Sequence, residues 1–147
     1  MKSLDLYKWL AGSQSDFLKP FRENEELLNL AKKFWNDFES SGIIIIITFV
    51  VLGILLAAIY YGSYNDKPGR HYTPLHWIGF LFGTFVLTFL FTWLIEYIMI
   101  TPKLNGAVML QMKIALCNAI YAVGLYLLTS IVWCYALPTN AYRLFKI

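Results

Sequence analysis

Three long apolar blocks, at about residues 42–61, 75–100 and 108–137, decide what this chain can fold into. Each reaches the length of about 20 residues that a helix needs to cross a bilayer core. Together they contain one acidic residue, Glu96, and one basic residue, Lys113. In hydrocarbon the backbone must satisfy its own hydrogen bonds, so blocks of this length are expected as helices. This holds even for the β-branched run Ile43 to Ile47, whose weak helix propensity is the smaller effect. The 147 residues are 59% hydrophobic and 14% charged, against about 45–50% and about 25% in soluble domains. That shortfall in charge excludes a soluble enzyme and a nucleic-acid-binding domain. The fold expected is an all-α integral membrane protein, with three transmembrane helices preceded by an amphipathic interfacial helix.

The organisation expected is an N-terminal segment 1–41, a membrane domain 42–137 and a short tail 138–147. Pro74 suits the first turn of the second helix, and Pro102 and Pro138 mark the ends of the second and third. The first 42 residues lack a continuous apolar core, so the first block is expected to be a retained anchor. Three spans place the termini on opposite sides. With the N-terminus cytoplasmic, eight basic residues lie inside and four outside, the bias that the positive-inside rule selects. In a bacterium this would be the inner membrane. Tyr60, Tyr61, Tyr64, Tyr72, Trp77, Trp133, Tyr135 and Tyr142 then fall together at the outer interface, as an aromatic belt.

In the N-terminal segment, residues 3–10 can form a short helix presenting Leu6, Trp9 and Leu10, with Gly12 to Ser15 as a flexible stretch. A stronger helix follows from Asn24, its possible N-cap. Leu27, Ala31, Phe34, Trp35 and Phe38 recur on one face of it. That stripe is expected in the membrane interface plane; packing on a partner helix and disorder are the alternatives. Ser40, Ser41 and Gly42 permit a bend into the first span.

Inside the spans, Thr84, Thr88, Thr92 and Glu96 are spaced four apart and form a narrow polar ridge on the second helix. The ridge is expected to bond its own carbonyls and pack on a neighbouring helix, with a hydrated path as the alternative. Glu96 should have a partner, because a carboxylate in hydrocarbon costs several kcal/mol at the centre of a span, roughly 2.5–3.5 on insertion scales. Lys113 lies at similar depth across the turn at Asn105, so a Glu96–Lys113 pair is expected. Headgroup snorkelling, a contact to another subunit and a titrating ion path are the alternatives. Gly79 and Gly83 form a GxxxG match. Ala115, Asn118 and Ala122, with Gln111 and Thr129, give the third helix a small and polar face that fits packing between helices two and three, with an oligomer contact as the alternative.

No catalytic group, cofactor or metal set is legible. His71 and His76 flank Pro74 without a neighbouring carboxylate or thiol, and Cys117 and Cys134 are too far apart on one helix to bridge. The function expected is association in the lipid bilayer: an anchoring or scaffold subunit, as a homo-oligomer or with unlike membrane subunits. The alternative is an oligomeric pore-forming or membrane-disrupting effector, as in cell-suicide defence systems.

Overall fold

A computed structural model describes residues 3–67, 73–101 and 103–136 of the chain. Residues 70–72, Pro102, Pro138, Tyr142 and the tail 138–147 lie outside the described residues, and so do the expectations placed on them. All regular structure described is helical. Three helices are long and apolar enough to cross a membrane: Glu25–Tyr64, Pro74–Met99 and Val108–Ala136.

The chain begins with short helical pieces: a 3₁₀ turn Ser3–Tyr7, α1 (Lys8–Ala11), α2 (Gln14–Leu18) and a 3₁₀ turn Lys19–Phe21. Gly12 to Ser15 is more ordered than its composition implies. Gly12 ends α1 at φ 83°, and Ser13 caps α2 through a capping box with Asp16. The Asp16 carboxylate accepts from the Lys19 ammonium at 2.7 Å and from Ser13. Those bonds hold its pKa down at about 2. The face of residues 3–10 also differs from the expected one. Trp9 is 60% exposed, whereas Tyr7 is fully buried.

The long helix α3 (Glu25–Ala58) starts at Asn24, whose side-chain oxygen accepts from the Glu26 and Leu27 amides. It runs straight through Ser40, Ser41 and Gly42, where a bend was expected. Both serine hydroxyls donate to the Asp37 carbonyl, at 2.8 and 2.9 Å. This satisfies the two hydroxyls inside the helix and removes their pull towards a turn. The stripe-bearing segment is therefore the start of the first spanning helix, not a separate helix lying across it. At 1.5 Å per residue α3 is about 51 Å long, against a hydrocarbon core of about 30 Å. It continues into a π-helical turn, Ile59–Tyr64, closed by Asn65 N–H donating to Tyr60 C=O at 2.8 Å.

Helix α4 (Pro74–Met99) and helix α5 (Val108–Ala136) are joined by a turn in which Gly106 takes φ 102°. That backbone conformation suits a residue without Cβ. The chain divides into two compact units, Met1–Thr48 with Phe89–Asn118, and Phe49–Thr88 with Ala119–Ile147.

In the second unit the helices meet closely at Gly53. A Cβ there would lie 2.8 Å from the Ala122 carbonyl oxygen and 2.9 Å from Leu125 Cβ. Nearby, Phe49 and Tyr121 rings pack at 5.5 Å. Tyr60 and Tyr61, expected to face headgroups, are instead buried between helices. Tyr61 stacks on Trp133 at 5.9 Å and accepts from Trp77 Nε1 at 3.1 Å, while Tyr60 meets Phe80 at 5.2 Å. A buried Tyr hydroxyl needs a partner, and the indole of α4 supplies one. Tyr135, by contrast, is 64% exposed.

Candidate functional site

In the first unit the polar residues converge on Asn118. Four residues of helix turn the chain by about 400°, so Thr84, Thr88, Thr92 and Glu96 stay on nearly one face of α4. All four are fully buried, so the ridge points inward. On α5, Ala115, Asn118 and Ala122 are likewise fully buried.

Asn118 uses its amide fully. Its Nδ2 donates to the Ile45 carbonyl on α3 and to Thr92 Oγ1 on α4, both at 2.8 Å. Its Oδ1 accepts from the Tyr7 hydroxyl at 2.6 Å. One side chain thus ties three long helices and the N-terminal segment together. The small and polar face was expected to pack between helices two and three, with an oligomer contact as the alternative; α3 and Tyr7 also share it because a primary amide has two donors and an acceptor to place.

Elsewhere on the ridge Thr84 donates to Phe80 C=O at 2.8 Å, the back-bonding expected of a buried threonine. The Thr88 hydroxyl has no partner among the described residues, and neither has either carboxyl oxygen of Glu96. The expected Glu96–Lys113 pair is not formed: Lys113 is exposed. The depth argument missed the rotational phase. Lys113 precedes Asn118 by five residues, which places it about 140° away from the inward face of α5.

An unpartnered buried acid predicts an unusual mutant. Glu96→Leu should raise the thermal midpoint in detergent, because it removes an unmet polar group worth about 1–3 kcal/mol. Lys113→Gln should change little, and the two substitutions should add without coupling. A fall in stability with Glu96→Leu, or coupling to Lys113, would show that the acid has the missing partner after all.

The apolar stripe on the first part of α3 is covered by the chain itself. Ala31, Phe34, Trp35 and Phe38 are buried, with Phe17 rings 5.7 Å from both Phe34 and Trp35. Leu27 alone of the five remains exposed, at 41%. The stripe was expected in the membrane interface plane, with packing on a partner helix and disorder as the alternatives; Phe17 of the same chain lies against it instead. Gly79 and Gly83 have nothing within 4 Å of an added Cβ, so the GxxxG face packs against nothing described in this chain. Beside it lies an apolar depression of about 410 Å³, walled by Leu56, Tyr64, Leu75, Phe80 and Leu87. His76 lines that depression and its ring meets Tyr64 edge-on at 5.4 Å. Cys117 and Cys134 are buried free thiols. Among the described residues no cluster of three or more His, Cys, Asp or Glu could hold a metal.

Sequence reasoning missed two residues here. Tyr7 carried no signal, being one aromatic among several in a short polar segment. Gly53 did carry one: a lone glycine inside an apolar helix marks a close approach of another backbone. No family model, curated protein or solved structure matches the chain.

Proposed function

We propose that this chain is a multi-pass membrane protein that works by association, as an anchoring or scaffold subunit of a membrane complex. The observation that carries this reading is the open glycine face of α4. Gly79 and Gly83 lie one turn apart with free space over both, beside an apolar depression. In lipid, helices associate through close dispersion packing, and small residues one turn apart are what permit it. The charge bias favours a cytoplasmic N-terminus, which puts the C-terminus on the opposite side.

The test is Gly79→Leu with Gly83→Leu. Because nothing among the described residues lies within 4 Å of a Cβ at either site, the double variant should fold with little change in thermal stability. It should lose association, read as the mass of the mild-detergent complex by native mass spectrometry. A complex of wild-type mass in the double variant overturns the role of this face, and a wild-type monomer in both detergent and bilayers overturns association.

A second reading, an oligomeric pore-forming or membrane-disrupting effector, draws on the unpartnered Glu96 carboxyl at the end of a polar ridge. It requires ion flux through reconstituted protein, which a scaffold does not produce. The inward direction of the ridge is why the scaffold reading stands first: copies assembled side by side would not line a channel with these residues.

A further inference from the structure

The N-terminal segment has the build of something held in place by what it covers. Its four helical pieces are five residues long or shorter. Pieces so short have no helical stability of their own in water, so docking is what orders them. The ion pairs Asp5–Lys8 and Asp16–Lys19 are local and exposed and give no hold on the helices beneath. The hold comes from Tyr7 on Asn118, from Phe17 on Phe34 and Trp35, and from Phe21, which lies 3.7 Å from a Cβ built on Gly106.

Tyr7 reaches well past the ends of the helices it touches. Asn118 is ten residues into α5, about 15 Å along its axis. Thr92, bonded to the same amide, is seven residues from the end of α4, about 10 Å. Glu96 is one turn from Thr92 towards that end, on the same inward face.

These polar groups have different stakes in being covered. With Tyr7 docked, Asn118 has every hydrogen-bonding group engaged. Glu96 has neither oxygen engaged, and a buried carboxyl in that condition is the group with most to gain from water. Undocking therefore exchanges the Tyr7–Asn118 bond and the Phe17 contacts for hydration of Glu96, Thr92 and Asn118. A balance of that kind gives a segment with two positions. We propose that residues 3–21 are a displaceable plug that keeps water out of a polar site formed by Asn118, Thr92 and Glu96.

The test reads water access directly, in full-length protein reconstituted in phosphatidylcholine vesicles. A single cysteine is placed by Thr92→Cys, with Cys117→Ala and Cys134→Ala, and labelled with a charged methanethiosulfonate. With the native segment labelling should be slow. Tyr7→Ala should accelerate it at least tenfold, while a second probe, Ala57→Cys, buried in the other unit, stays slow. Tyr7→Phe retains the ring and folds more readily, and should accelerate labelling to a smaller extent. The proposal is overturned if position 92 labels quickly with Tyr7 intact. It is also overturned if neither Tyr7 variant changes the rate, or if positions 92 and 57 accelerate equally, which is general loosening rather than unplugging.

Discussion

Asn118→Leu should lower the unfolding free energy by about 3–5 kcal/mol, the largest loss expected from any single polar side chain of this protein. Leucine keeps the branched skeleton of asparagine with somewhat bulkier ends, so the main loss is polar rather than a cavity. Three buried hydrogen bonds disappear together. Hydrogen bonds between membrane helices average only about 0.6 kcal/mol each, which accounts for about 2 kcal/mol. The remainder is the Tyr7 hydroxyl, left buried with its Asn118 acceptor gone, at about 1–3 kcal/mol. The Ile45 carbonyl and Thr92 hydroxyl suffer less, since each sits on a helix that offers other partners. Denaturant titration in mixed micelles measures the loss, and protease sensitivity of residues 3–21 should rise in parallel. Tyr7→Phe should cost about 1 kcal/mol, and the double variant should cost clearly less than the sum, because both remove one shared bond. Full additivity would mean that the two side chains do not meet.

Gly53→Val should be about as damaging, for a steric reason. The added Cβ alone would sit 2.8 Å from a main-chain oxygen of α5 and 2.9 Å from Leu125 Cβ. Overpacking costs about 1–3 kcal/mol where side chains can shift. A helical carbonyl cannot rotate away, so α3 and α5 must separate, and the expected loss is at the top of that range, about 3 kcal/mol. Leu125→Ala should restore little, because the clashing Cβ stays, and Ala122→Gly almost none, because the clash at 122 is with backbone. Gly79→Val is the control, with nothing within 4 Å to strike. Equal loss at 53 and 79 would show that helix propensity, rather than contact with α5, governs both sites.

These contrasts show what could be read from the chain and what could not. The two glycine signals looked unequal in the sequence, and their ranking reversed. The GxxxG pair was a recognised pattern, yet it packs on nothing among the described residues, while the unremarked Gly53 is where two backbones meet. The pattern reports that close approach is allowed, and only the partner's position says where it happens. Likewise the ridge from Thr84 to Glu96 was legible from its spacing, because helix geometry fixes which residues share a face. That it would pack on a neighbouring helix was expected; which groups it would meet was not legible, since spacing along α4 does not record the rotational phase of its neighbours. The aromatic stripe from Ala31 to Phe38 was found for the same periodic reason. What covers it was missed, because Phe17 belongs to a piece too short for periodicity to register.

The sequence by itself determined that the chain is helical, that three stretches can cross a membrane, and which residues lie together along each helix. Length, hydropathy and a period of 3.6 residues are local properties, and hydrocarbon leaves the backbone few alternatives to the helix. Only the tertiary structure decided which face of each helix meets which neighbour. That choice joined Tyr7, Ile45 and Thr92 on one asparagine, left Glu96 without Lys113, and opened Gly79 while closing Gly53. Such contacts depend on the rotational phase between helices, which is fixed by the summed fit of side chains distant in sequence, and no local pattern records it.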